Sequence, residues 1–319
     1  MDKKMNHRDL LLNLTSPNPI PGTIPAGFFM HFDPIHHQGQ AAVDKHLEFF
    51  RQTGMDFVKI QFELPLPPFP HLRTPEDWAQ APLYPEEFFE APIRVVEGLV
   101  KAVKSEALVI MTLYSPFMWA YHLDPQADLN GHMQEKPEAV AKGLEIMTEN
   151  VLRLVRGCKR AGVDGFYAST QGGETFRFGD SPLFSKYIKP TDLAVWDEIR
   201  DCTFNILHIC DYEGGYTNLS PFLDYPGEVV NSSLKLGDQS LTPREISEMF
   251  ARPFMGGLER KGVIATGSPE AIRKAVGDVL AKAPERFILA ADCTVPSDTP
   301  WDNLKTAIGT AHGYHLAKL

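Results

Sequence analysis

Eight short apolar runs, rich in β-branched and aromatic residues, alternate along this chain with longer stretches whose apolar residues recur at three- and four-residue intervals. The runs are AGFFMHF (26–32), DFVKIQF (56–62), ALVIMTLY (107–114), VDGFYAS (163–169), FNILHIC (204–210), EVVNSS (228–233), GVIAT (262–266) and RFILAA (286–291). The longer stretches, at 41–54, 86–106, 137–162, 242–262 and 268–283, carry the periodicity of helices. Several open with Ser or Thr followed by Pro, which is an N-cap followed by an N1 proline. Strands that alternate with helices must run parallel and be joined by right-handed crossovers. Eight such units closing on themselves give an α/β (β/α)8 TIM barrel, and 319 residues accommodate one domain with a barrel of ~250 residues plus extensions. An open doubly wound sheet would use the same alternation, but no G-x-G-x-x-G follows the first run. Long Pro- and aromatic-rich stretches at 63–83 and 115–136 follow the second and third runs. In a barrel they lie over the face where the site is built.

Composition narrows the partners. A net charge of −10 argues against a nucleic-acid binder. No apolar run reaches the ~18 residues a membrane span needs, and LLLNL near the N-terminus is too short for a secretory signal. Four cysteines, Cys158, Cys202, Cys210 and Cys293, make no disulfide framework, so the expected compartment is the cytoplasm with thiols reduced.

The chemistry concentrates at strand ends. His208 and Cys210 are two apart on one strand, so their side chains share a face. Cys293 follows the last run in the equivalent place. One imidazole and two thiolates at a barrel mouth suit Zn²⁺ with a fourth position open. Plain core packing is the competing reading, because cysteine is among the most buried residues. Cys158 and Cys202 lie on helical segments without a histidine partner and read as structural. Other polar residues near strand ends divide in the same way. His31, His36 and His37 follow the first run and either bind an anion or metal or form a polar loop. Asp33 and Asp292 either orient a ligand or cap a turn. Gln171 and Glu174, in STQGGET after the fourth run, lie at the mouth, and Ser268 reads as an N-cap. Phe117, Trp119 and Tyr121 either wall a pocket or pack their loop.

Several stretches resemble the uroporphyrinogen decarboxylase family: NHRDLLLNLTSPNPIPGTIPAGFFM, VIMTLYSPFMWAYHL, AGVDGFYAST, HICDYEG, RKGVIATGSPEAI and FILAADCTVPSDTPWDNLKTAI. The resemblance spans nearly the whole chain. It implies a (β/α)8 barrel preceded by an N-terminal helical extension over residues 1–25, and a homodimer. The family's decarboxylases carry an arginine-rich first motif, an aspartate after strand two, a tyrosine after strand three and a histidine on the last strand. Here His31 stands where the first arginine belongs, Gln61 or Glu63 falls near the aspartate position, Tyr121 matches the tyrosine, and Cys293 replaces the histidine. A tetrapyrrole with four acetates and four propionates needs cationic partners that are missing. The His-x-Cys…Cys pattern instead resembles the superfamily's zinc-dependent methyltransferases. That likeness implies Zn²⁺ on His208, Cys210 and Cys293, with Glu228 or Glu213 as a fourth ligand. It also implies a methyl donor in the form of a corrinoid on a partner protein, and a small-molecule thiol acceptor. A tetrapyrrole decarboxylase and a non-catalytic corrinoid- or tetrapyrrole-binding barrel are the alternatives.

Overall fold

The computed structural model describes residues 5–20 and 22–314. Seven parallel strands form a curled sheet: β1 (Phe57–Ile60), β2 (Leu108–Tyr114), β3 (Gly165–Thr170), β4 (Ile206–Ile209), β5 (Val229–Ser232), β8 (Phe254–Leu258) and β9 (Phe287–Ala291), paired in that order. A small antiparallel hairpin, β6 (Lys235–Leu236) and β7 (Gln239–Ser240), lies between β5 and β8 in the chain. Helices α1 (His7–Thr15), α2 (Gly39–Thr53), α3 (Glu90–Val103), α4 (Pro116–Leu123), α5 (Leu129–Glu135) and α6 (Pro137–Arg160) are followed by α7 (Thr175–Phe178), α8 (Lys189–Ile199), α9 (Pro243–Phe250), α10 (Val263–Thr266), α11 (Pro269–Leu280) and α12 (Trp301–His312). The last large helix, α12, packs against both α11 and α2, so the outer helical layer curves round on itself. The fold is TIM-barrel-like.

Alternation along each strand makes two apolar layers. Val58, Ile60, Val109, Met111, Leu207, Ile209 and Leu289 face outward into the core shared with the helices. Phe57, Leu108, Ile110, Tyr167, Ile206, Val229, Met255 and Ile288 face inward, and Leu11 and Leu14 of α1 join them. The hydroxyl-then-proline starts form as expected: Ser115, Thr242 and Ser268 each accept a hydrogen bond from the third backbone N–H of the helix they open.

Two predicted strands differ. Residues 26–32 contribute only an isolated bridge, from Ala26 to Leu289. That segment still spans the gap between β9 and β1. Gly27 N donates to Leu289 O (3.0 Å), Leu289 N to Pro25 O (2.9 Å) and Asp56 N to Ala26 O (3.0 Å). The run 262–266 is not a strand at all but α10, and its place in the sheet is taken by β8, inside the stretch expected to be helical through 262. The reason is local. β8 reads FMGGL, with Gly256 at φ +150° and Gly257 at φ +109°. A Cβ on Gly257 would meet Val279 Cγ1 of α11 at 2.5 Å. Gly257, which lets α11 approach the strand, and its neighbour Gly256 together hide the strand from propensity.

Candidate metal centre

Along β4 and the residues that flank it, Phe204 and Ile206 fill the lower barrel, and the next two inward positions are His208 and, just past the strand, Cys210. Both are buried, as is Cys293, two residues past β9. Strand parity therefore brings one imidazole and two sulfurs together: an Nδ1 or Nε2 of His208 and the Sγ atoms of Cys210 and Cys293 lie within 4.8 Å of one another. Among the described residues this is the one such grouping of His, Cys, Asp and Glu.

Which nitrogen faces the sulfurs follows from the hydrogen bonds behind the ring. Asn231 of β5 donates its amide to Met255 O (2.9 Å) and Ala291 O (3.2 Å), which fixes its orientation. Its Oδ1 then accepts from Tyr167 OH (2.5 Å) and from His208 Nδ1 (2.5 Å). The proton of the neutral imidazole is thus on Nδ1, and Nε2 presents a lone pair. That Nε2 is buried and has no hydrogen-bond partner. An orphaned buried acceptor beside two sulfurs fits a metal ligand, because a buried polar atom without a partner is otherwise costly. Tyr167 also stacks on the His208 ring, with centroids 4.7 Å apart.

The sulfurs act as a pair. A hydrogen bond from Cys210 holds the Cys293 thiol well below its ordinary range, with burial opposing and Arg260 adding to the effect. The same bond, together with burial, pushes Cys210 up. Gln171 Nε2 donates to Cys210 Sγ at 3.4 Å. Arg260 braces both cysteine loops, donating its guanidinium to Asp211 Oδ1 (2.7 Å) and its backbone N–H to Asp292 Oδ1 (2.8 Å).

The centre opens into a cavity of about 250 Å³. Its lining includes His31, Lys59, Gln61, Tyr114, His122 and Gln171 beside the three candidate ligands. Of the expected substrate residues, His31, Gln61 and Gln171 line it. Glu63 lies behind His31 as its partner, accepting from His31 Nδ1 at 2.9 Å with His37 Nε2 3.5 Å away.

Four expectations are corrected. Glu228 precedes β5 at its N-terminal end and accepts from Asn205 N (2.6 Å), whereas His208 pairs in register with Asn231, three residues further along. It sits at the opposite end of the strand from the sulfurs and is no fourth ligand. Asp33 is exposed and caps a short turn by accepting from Ile35 N. Glu174 is buried in an ion pair with Arg177 (2.9 Å) and accepts from Gly172 N (2.6 Å), so it braces its loop. Tyr121 is outside the cavity lining and lies against the Arg177 guanidinium. Glu213 does reach the cavity, from its exposed rim. Phe117 and Trp119 are fully packed core residues.

Sequence reasoning missed Lys59, Asn231, Tyr167 and Arg260. The available signal was parity: Lys59 in DFVKIQF and Asn231 in EVVNSS are polar residues on the inner faces of otherwise apolar strands. Burial draws the Lys59 ammonium down to about 7, with Cys293, Glu63 and Cys210 pulling the other way.

Fold and site together define a barrel-like α/β protein with a nitrogen- and sulfur-lined centre at the C-terminal ends of its strands. The chain belongs to the uroporphyrinogen decarboxylase (URO-D) family, whose profile matches residues 52–314. Among solved structures, a methyltransferase from Methanosarcina mazei shares the fold with a TM-score of 0.79 at 15% identity, over 97% of this chain and 98% of that one. A chain assigned as a vitamin-B12 independent methionine synthase from Listeria monocytogenes is similar at TM-score 0.52 and 12% identity, over 92% of this chain and 98% of its own. No curated protein matches with significance. No helix among the described residues is long and apolar enough to cross a membrane.

Proposed function

We propose that this protein is a zinc-dependent methyltransferase that moves a methyl group from a corrinoid, carried by a partner protein, to a small thiol. One observation carries the reading: His208, Cys210 and Cys293 converge with an imidazole lone pair free among them. Two sulfurs and one neutral imidazole are a donor set that zinc favours, with three protein ligands and a position left for substrate. Zinc held there would supply Lewis acidity, keeping an acceptor thiol ionised near neutral pH. The chain's own residues do the rest. Asn231 and Tyr167 hold the imidazole in the ligating tautomer. Arg260 ties down the loops that carry the two cysteines. The cavity orients the acceptor sulfur toward the open end, and such positioning supplies much of the rate in a transfer of this kind. The acceptor sulfur forms its bond to carbon as the donor's bond breaks, and the electron pair leaves with the donor.

The cavity weighs against tetrapyrrole decarboxylation. Its lining has one lysine and no arginine, too few cations for a substrate with eight carboxylates. The methyltransferase names among the structural neighbours point the same way.

Metal analysis is the test. Purified protein is expected to hold about one zinc per chain by mass spectrometry, and Cys293→Ser to lose most of it and at least ~10²-fold of thiol methylation with a methylcorrinoid donor. Zinc-free protein whose methyl transfer survives Cys293→Ser would end the proposal.

A further inference from the structure

Methyl transfer to a thiol at this centre has a side reaction built into it. The sulfurs of Cys210 and Cys293 lie together where the acceptor sulfur must come, and a ligating thiolate is itself a nucleophile. The two cysteines are not held alike. Gln171, the first residue past β3, is 3% exposed, and its Nε2 donates to Cys210 Sγ at 3.4 Å. Among the described residues no side-chain amide reaches Cys293. The Cys210 backbone is tied to the same loop, with its N–H on Thr170 O (3.1 Å) and its carbonyl on the Tyr216 hydroxyl (3.1 Å). The chain just after Gln171 is fixed as well. Gly172 takes φ +99° and donates its N–H to the buried Glu174 carboxylate (2.6 Å), which is paired with the buried Arg177 (2.9 Å). A Cβ on Gly172 would meet Ile188 Cδ1 at 2.9 Å and Phe117 Cδ1 at 3.1 Å, so only glycine lets the loop lie this close. The glutamine is thereby aimed at one sulfur of the two.

We infer that Gln171 guards Cys210 against methylation in place of the acceptor: its amide N–H draws charge from the Cys210 sulfur and makes that sulfur the poorer nucleophile. This rests on the zinc methyltransferase reading above and deepens it. Hydrogen bonds around a ligating sulfur tune its electron density, and the nucleophilicity of sulfur falls with its basicity. In the reaction that the bond suppresses, Cys210 Sγ would form a bond to the methyl carbon as the donor's bond broke, and the electron pair would leave with the donor. The product would be a thioether, which has lost the charge that makes a thiolate a zinc ligand. Gln171 does not touch the reacting carbon. It is a positioning residue that acts through Cys210.

Methyl iodide, added to the full-length protein without any thiol acceptor, tests the inference. Sulfur bonds to the methyl carbon and iodide leaves. Peptide mass spectrometry separates methylation at Cys210 from methylation at Cys293, so the second cysteine is an internal standard. Gln171→Leu keeps the bulk and removes the donor. It is expected to raise the Cys210 rate relative to Cys293 by about 5-fold or more, the effect of losing roughly half the worth of a hydrogen bond to a charged group. Gln171→Met, which also lacks a donor, gives the same reading should the leucine variant fail to fold. Equal acceleration at both cysteines would show that Gln171 merely closes the cavity, and would overturn the assignment. Zinc is counted on the same samples. Protein that holds no zinc overturns the methyltransferase reading and this inference with it, whereas zinc-replete variants with the wild-type ratio overturn the Gln171 assignment alone.

Discussion

Each of the three candidate ligands depends on a neighbour that fixes it, and Asn231 is the most consequential. One side-chain amide holds Met255 O and Ala291 O with its nitrogen, and Tyr167 OH and His208 Nδ1 with its oxygen. It therefore links β3, β4, β5, β8 and β9 through one group. Replacing it by leucine keeps the volume and removes every one of these bonds. The imidazole is then free to place its proton on either nitrogen. Zinc affinity of Asn231→Leu is expected to fall by about 10- to 100-fold, read by competition with a chromogenic chelator, because partners behind a ligating histidine typically contribute that much. Stability should fall as well, by ~1–3 kcal/mol, from the tyrosine hydroxyl and the imidazole N–H left buried without an acceptor. Unchanged chelator competition would mean that His208 is not oriented by this bond. His208, Cys210 and Cys293 were legible in the sequence because their spacing coincides with strand ends. Asn231 was not, since a single asparagine in EVVNSS shows what it bonds only once the neighbouring strands are in place.

At the scale of elements, the apolar alternation located most of the sheet and failed where a residue's role was steric. Runs such as ALVIMTLY are strand-like at every position, and β2 covers nearly all of that one. β8 was missed because Gly257 admits a helix and Gly256 takes a left-handed backbone against Phe254, demands that no pattern within the strand reveals. A further hidden element contact joins β3 to α8. Asp192 of α8 is buried and its Oδ2 accepts from Thr170 Oγ1 (2.5 Å) and Tyr225 OH (2.9 Å), while Oδ1 has no partner. Burial raises its carboxyl to about 7, with the two hydroxyl bonds opposing. A raised acid keeps its proton in the folded chain while the unfolded chain has lost it. The contribution is therefore complete below about pH 4 and fades as pH rises through about 7. Asp192→Asn is always neutral and keeps an oxygen for both hydroxyls. Urea unfolding from pH 5 to pH 8 should show the variant gaining on the wild type by at least ~1 kcal/mol across the range. A stability difference that does not change with pH would show that Asp192 is ionised in the fold.

Viewed as a whole molecule, the ring of strands is complete everywhere but at one seam. Between β9 and β1 lies the segment near Ala26, which bonds to β9 through two backbone hydrogen bonds but reaches the β1 side through Asp56. There Asp56 N donates to Ala26 O, and Asp56 Oδ2 accepts from Ala26 N at 2.7 Å. A carboxylate thus stands in for a ladder carbonyl. The same carboxylate receives His312 Nε2 of α12 (2.8 Å) and His7 Nδ1 of α1 (2.8 Å). Four parts of the molecule that are distant in sequence meet on one side chain at the closed end of the barrel. Burial works against its charge, yet the bonds from His312 and His7 hold the carboxyl below its ordinary value. A depressed acid stabilises the fold above its unfolded value and loses that effect as pH falls through the folded one. Asp56→Ala removes the acceptor at the seam and leaves Ala26 N buried without a partner. A loss of ~3–5 kcal/mol is expected in denaturant unfolding, the range for breaking a buried hydrogen-bonded charge. Because the seam is local, the loss should be uneven. Hydrogen exchange at Gly27 and along α1 should quicken more than at β3 or β4, whose ladders do not pass through Asp56. The candidate metal centre lies at the other end of the strands, so zinc content of the folded variant is expected to match wild type. Uniform acceleration of exchange across all strands would show instead that Asp56 supports the barrel as one cooperative unit and that the ring has no seam.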